Sequence, residues 1–213
     1  MYIDKALKRQ SKLKKLFYST MIFLSILLPS MVYLAGIKSK FIYIYLLILE
    51  VLIFLSILSK VDFYSLKFSC LNNKLKFKSG LFSKENILIC DKIAIVHTNN
   101  TKEDIEIIIV TNMKFRNKTL KPISKSFLQR YPEANHEYLK LKKLNPEEVY
   151  YFQVIRKGAL NKYILLEIIY KNCVKAVYTA SAIDNIKIAR RQNEFWKKEG
   201  KSCENKGCHN KRF

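Results

Sequence analysis

The spacing of apolar positions changes along this chain, and each change marks a different kind of element. Residues 16–37 hold no charged side chain, and residues 41–59 hold one, Glu50, with Lys38, Ser39 and Lys40 between the two runs. At the rise of an α-helix the first run is about 33 Å long, enough for a hydrocarbon core of roughly 30 Å. A link of three residues has no room for a domain. The pattern therefore predicts two helices folded back on each other as a membrane hairpin. A secretory signal peptide would have a shorter apolar run followed by a small-residue cleavage site, and this chain has neither feature.

Beyond residue 59 the period shortens to two. YSLKFSC (64–70) and KLKFKS (74–79) alternate apolar and polar positions on either side of Leu71-Asn72-Asn73, the signature of a β-hairpin. Gly80 ends the second strand, and extended segments follow at 87–90 and 93–98. A turn at 99–102 leads into a buried strand, EIIIVT (106–111), and then an edge piece over 114–123. These short strands predict a small antiparallel sheet bent over on itself, with a helix beginning in SKSFLQRY (124–131).

From residue 145 the spacing reads as helical. Asn145-Pro146-Glu147-Glu148 combines a capping side chain, a first-turn proline and acids over the positive helix end, and Val149, Phe152 and Ile155 follow at helical intervals up to Gly158. Asn161 caps a second helix through Tyr163, Leu166 and Ile169 to about Asn172, although the β-branched run 163–170 also reads as a strand. Residues 174–178 form a short strand or a link, and Ile183, Ile186, Phe195 and Trp196 mark a last helix over 180–198. The expected fold class is a membrane α-hairpin followed by an α+β cytoplasmic region. Its parts are a basic N-terminus (1–15), the hairpin (16–59), a β-rich domain (60–145), a helical region (146–200) and a polar tail read as disordered (201–213).

The run NKLKFKSGLFS (73–83), followed by ILICDKIAIVH (87–97), resembles bacterial pleckstrin-homology-like domains that sit behind a pair of membrane helices. The resemblance lies in a strand, a Gly-Leu-Phe turn and a second strand with an Ile-x-x-Val pattern, matched here by Ile93 and Val96. It covers about residues 60–145 and implies a small bent sheet closed by a helix, acting as a membrane-proximal binding or scaffold module. It brings no catalytic residues with it.

Charge sharpens this picture. Mean hydropathy is −0.06, but that average conceals an apolar hairpin joined to a lysine-rich remainder, with 39 Lys and Arg against 17 Asp and Glu and a net charge of +22. Such an excess favours polyanionic partners, chiefly anionic lipid or nucleic acid. Codon bias toward Lys, Ile, Asn and Tyr also contributes to it. Lys5, Lys8, Arg9, Lys12, Lys14 and Lys15 precede the first span and many lysines follow the second, whereas the loop carries two. The positive-inside rule then places both termini in the cytoplasm, in a multi-pass protein of the cell membrane. The N-terminal stretch lies along the inner leaflet or extends the first span. Five cysteines, odd in number and irregular in spacing, suit a reduced compartment rather than a disulfide framework.

Candidate chemistry is sparse. Glu50 lies near the middle of its span, level with Ser25 and Ser30, and is expected to bond one of them, or another copy, as interhelical glue. A transport role for Glu50 is the less economical alternative, because two helices do not make a pathway. Lys74, Lys76 and Lys78 fall on one strand face and, with Lys84, are the expected anionic-lipid contacts. The runner-up reading is a membrane-tethered nucleic-acid-binding protein using Lys187, Arg190, Arg191, Lys197 and Lys198 on the last helix. Cys203, Cys208 and His209 form the only metal-like cluster, with too few ligands and too long a Cys spacing for an ordinary zinc site. No cofactor is expected, and no nucleophile or phosphate-loop motif stands out. An enzyme is thus the least supported class, and a protein partner or self-association through the hairpin is expected beside the bilayer.

Overall fold

The computed structural model describes residues 3–36, 39–101, 104–115, 117 and 119–190. The chain divides into two compact units, Met1–Tyr64 and Ser65–Phe213. In the first, helices α1 (Ile3–Leu34) and α2 (Lys40–Tyr64) form the hairpin. Within them, Arg9–Leu34 and Lys40–Tyr64 are long and apolar enough to cross a membrane. The N-terminal basic stretch from residue 3 is continuous with the first span as one helix. Pro29 lies inside α1 and has no N–H to give to the Ser25 carbonyl one turn back.

The second unit holds two sheets. Strands β1 (Leu66–Leu71), β2 (Lys74–Ser79) and β3 (Asn86–Ile89) form an antiparallel sheet in that order. The β1–β2 turn uses Asn72 and Asn73, with φ of 50° and 61°. Asparagine tolerates this left-handed backbone better than most residues, and it produces the tight primed turn that matches strand twist. A 3-10 turn, Cys90–Lys92, then leads into a five-stranded sheet.

That sheet comprises β4 (Ile93–Asn100), β5 (Ile105–Thr111), β6 (Lys121–Pro122), β7 (Tyr151–Ile155) and β8 (Val177–Tyr178), in the order β6-β7-β5-β4-β8. β8 lies parallel to β4, and the other pairs are antiparallel. Every residue of β5 is buried. Ile105, Ile107 and Ile109 face a core shared with Leu75, Phe77 and Leu88 of the small sheet and with Leu165, Leu166 and Ile169 of α5 (Asn161–Asn172). Ile108 and Val110 face a second core, built with Phe127 of α3 (Lys125–Arg130) and with Tyr131 and Ala134 at the start of α4 (Pro132–Leu144). A last helix, α6, runs over 180–190, and the expected continuation to 198 lies outside the described residues.

Two expected elements are corrected. Residues 145–158 contain no helix: 145–150 form a turn, and Phe152 and Ile155 belong to strand β7. Asn145 is the C-cap of α4, its N–H bonding Leu141 O at 2.9 Å, so the Asn-Pro pair marks a helix stop with proline just beyond it. The aromatic and β-branched run of β7 gains more by pairing with β5 from Ile107 to Thr111 than by a lone helix. The expected edge strand over 114–123 shrinks to Lys121–Pro122, since proline is tolerated only at such an edge. The run 163–170 is helical, within α5, but Leu160 rather than Asn161 is its N-cap, without a side-chain cap bond. The five-stranded sheet thus takes strands from both sides of Leu144.

The β7–α5 connection approaches β1 closely. At Gly158, where φ is +120°, a Cβ would stand 2.5 Å from Leu66 Cδ2 and 2.7 Å from its Cβ. Only glycine fits both that backbone and that gap. Gly158→Ala is expected to cost about 2–4 kcal/mol, the sum of strain and overpacking, read as a lowered denaturation midpoint of the full-length protein. An unchanged midpoint would remove this account of the contact.

Candidate functional site

The outer face of the three-stranded sheet follows directly from strand alternation. Leu75 and Phe77 of β2 point into the core, which turns Lys74 and Lys76 fully outward and leaves Lys78 half-buried on the same side. Cross-strand pairing sets Lys67 of β1 opposite Lys78, and Ser69 opposite Lys76. Lys67 therefore joins the lysine face, although the second strand alone does not reveal it. A shallow depression of about 290 Å³ on this face brings together Lys67, Lys76 and Lys78, with Glu85 as an acidic neighbour. Lys84 is exposed in the β2–β3 loop. Bare apolar side chains flank the lysines: Leu71 at the hairpin turn is 72% exposed, and Phe82 in the β2–β3 loop is 81% exposed.

In the hairpin, Ser25 Oγ donates to Glu50 Oε2 at 2.7 Å. Ser30 does not reach Glu50. Its hydroxyl turns back to the carbonyls of Ile26 and Leu27, the usual way a serine meets its hydrogen-bond needs inside an apolar helix. Glu50 Oε1 is enclosed without a hydrogen-bond partner, so the carboxyl is held from one side only.

Of the candidate nucleic-acid contacts, Lys187 and Arg190 are among the described residues, and each has a partner. Lys187 pairs with Asp184 at 3.0 Å, and the Arg190 guanidinium stacks 4.7 Å from the Tyr170 ring centroid. Arg191, Lys197 and Lys198 lie outside the described residues, as do Cys203, Cys208 and His209. Among the described residues no group of three or more His, Cys, Asp or Glu is placed to hold a metal ion.

Two buried clusters have no counterpart in the sequence pattern. Cys70 of β1 and Cys90 of the 3-10 turn place their sulfurs 3.7 Å apart, with Cys173 at the end of α5 beside Cys90. Hydrogen bonding from the Cys173 thiol pulls the Cys90 thiol down to about 7, while burial pushes Cys70 up to about 11. The second cluster surrounds His97 of β4. Its Nδ1 lies 3.0 Å from Thr179 Oγ1, 3.2 Å from Ser181 Oγ and 3.7 Å from Glu133 Oε2. Ser181 Oγ in turn donates to Glu133 at 2.8 Å. All these contacts fall on one ring nitrogen. A nucleophile relay needs serine and carboxylate on opposite nitrogens, so the cluster ties α4 and α6 to β4 rather than activating Ser181.

A groove of about 500 Å³ opens where the β2–β3 loop meets β7 and α3. Lys121, Arg130, Arg156 and Lys157 line it, and no carboxylate is among its described lining residues. These cations are remote in sequence and meet only because β7 is a strand, so periodicity alone does not reveal them. Comparison of the chain with protein-family models, curated proteins and solved structures finds no match.

Two outcomes follow. Ser25→Ala removes the hydrogen bond to Glu50 Oε2 and is expected to weaken the hairpin by about 1 kcal/mol, measured as helix–helix dissociation in bilayers. A Glu50→Leu hairpin of unaltered stability and assembly would instead rule out the role of glue. Burial lowers the His97 imidazole below its ordinary value, partly opposed by Glu133. The unfolded chain therefore takes up a proton that the fold resists, and stability falls as pH drops through about 6.5. The melting temperature should decline from pH 7.5 to pH 5.5, and the decline should be shallower in His97→Gln.

Proposed function

We propose that this protein is a membrane-anchored binding module. In this reading the two apolar helices span the membrane with both termini in the cytoplasm, and the lysine face of β1 and β2 rests on the anionic inner leaflet. The single observation that carries the reading is the outward alignment of Lys67, Lys74, Lys76 and Lys78, with exposed Leu71 and Phe82 at the ends of the sheet. Each lysine near an anionic surface contributes about 1 kcal/mol, fading within a Debye length. That is weak for a free domain but sufficient for a tethered one, because the anchor turns docking into an intramolecular event at high effective concentration. β1 begins two residues after α2 ends, which keeps Lys67 close to the anchor along the chain.

The likeness of residues 73–97 to bacterial pleckstrin-homology-like sequences supports the same role, a scaffold or binding module behind a helix pair. A protein partner, or a second copy engaged through the hairpin, would then be organised at the membrane surface.

The test uses Phe82→Trp in a Trp196→Phe background, so that one indole reports on the β2–β3 loop. In nanodiscs, its emission should shift to the blue as phosphatidylglycerol replaces phosphatidylcholine, and the shift should vanish at high salt or when Lys74, Lys76 and Lys78 become Gln. Emission indifferent to lipid charge would defeat the reading.

A further inference from the structure

We propose that the groove between the β2–β3 loop, α3 and β7 is a binding site for a phosphomonoester-bearing small molecule. This site is separate from the lysine face of the small sheet, and the two proposals stand or fall independently.

Size limits the occupant first. A volume of about 500 Å³ falls in the ordinary range for small-molecule sites and exceeds the depression of about 290 Å³ on the β1–β2 face. Charge then limits its chemistry. Four cations line the groove with no carboxylate among the described lining residues, and one of them, Arg156, is paired from behind by Glu106. Glu106 accepts from Arg156 Nε at 2.9 Å and from the Tyr131 hydroxyl at 3.2 Å.

The arginines are also pre-positioned. Glu106 is itself nearly buried, so its bond to Nε fixes the Arg156 fork, while more than half of the Arg156 side chain remains exposed. Arg130 lies 5.7 Å over the Tyr131 ring and lines the same groove as Arg156. Planar guanidinium forks match phosphate oxygens in pairs, and two such forks with Lys121 and Lys157 suit a dianion better than a single carboxylate. Hydroxyls from Ser79, Ser83 and Ser126 line the same space and serve as further donors. Behind them, Thr119 is joined to Asn86 at 2.6 Å and to Gln153 at 2.8 Å, which ties the small sheet to β7 across the floor of the groove. The tilted pair Phe127 and Phe152, with centroids 4.3 Å apart, closes its apolar side.

The chemistry is shared by two sources, a soluble organic phosphate and a lipid with a terminal phosphate. Full-length protein in phosphatidylcholine nanodiscs is titrated calorimetrically with glycerol 3-phosphate and with inorganic pyrophosphate. Saturable binding is expected, weakened about tenfold or more by Arg130→Gln and by Lys157→Gln. It should be unchanged when Lys74, Lys76 and Lys78 are all Gln. Arg156→Gln would also strand Glu106, so Arg130→Gln, which leaves that ion pair in place, is the deciding variant. Nanodiscs containing phosphatidic acid are then compared with discs of phosphatidylglycerol, whose phosphate is a diester. Displacement of glycerol 3-phosphate by phosphatidic acid alone would assign the site to a lipid headgroup, and no displacement would assign it to a soluble phosphate. Failure of both probes to bind, or binding lost equally in the strand-face variant, would overturn the proposal.

Discussion

The second unit depends on one constraint: β5 is apolar on both faces and must be covered on both. A strand of this kind is stable only as an inner member of a sheet with a layer on each side. Its two neighbours are β4 and β7. Ile105, Ile107 and Ile109 require the small sheet and α5 on one side, and Ile108 and Val110 require Phe127, Tyr131 and Ala134 on the other. The charged exception on this strand, Glu106, has its charge met by Arg156 and a hydrogen bond from Tyr131, as a buried carboxylate must. The same pair sets one wall of the basic groove. Core packing and candidate site chemistry thus share a residue.

Much of this was legible in the order of residues. The membrane-length runs, the β1–β2 hairpin and the double burial of EIIIVT each follow from a period read over a few positions, because local spacing settles which faces are wet. The stretch 145–155 was not legible, since Val149, Phe152 and Ile155 satisfy a helical spacing while Gln153 and Ile155 satisfy a strand's. Only the vacancy beside β5, filled through the pairs Ile107 with Ile155 and Val110 with Phe152, decides between them. The groove and the His97 cluster lay beyond reach for the same reason. Arg130, Lys157 and Ser83, or His97 and Ser181, are adjacent only after strands and helices have been arranged by contacts distant in sequence.

The lysine excess divides into different physical uses. Lys162 is fully buried and held by Asp104 and the Arg156 carbonyl, with its ammonium made less basic by desolvation. Lys140 and Lys187 sit beside carboxylates on their own helices, where exposed pairs contribute little, whereas Lys171 pairs with buried Glu167. Lys67, Lys74 and Lys76 instead stand outward on one strand face. Net charge alone does not separate these groups, whereas the identity of each neighbour does.

The parallel pairing of β8 with β4 has a consequence for how the chain acquires its form. His97 meets Thr179 across a sequence separation of 82, and this contact and the β4–β8 ladder close the sheet on its far side. Loops of that span are slow to close and contribute nothing until both ends are present. During synthesis the hairpin and the first five strands emerge well before β8, leaving one edge of β4 unpaired in the meantime. An uncovered edge invites pairing with another chain. A chain cut short before β8 would keep that edge of β4 open to such pairing.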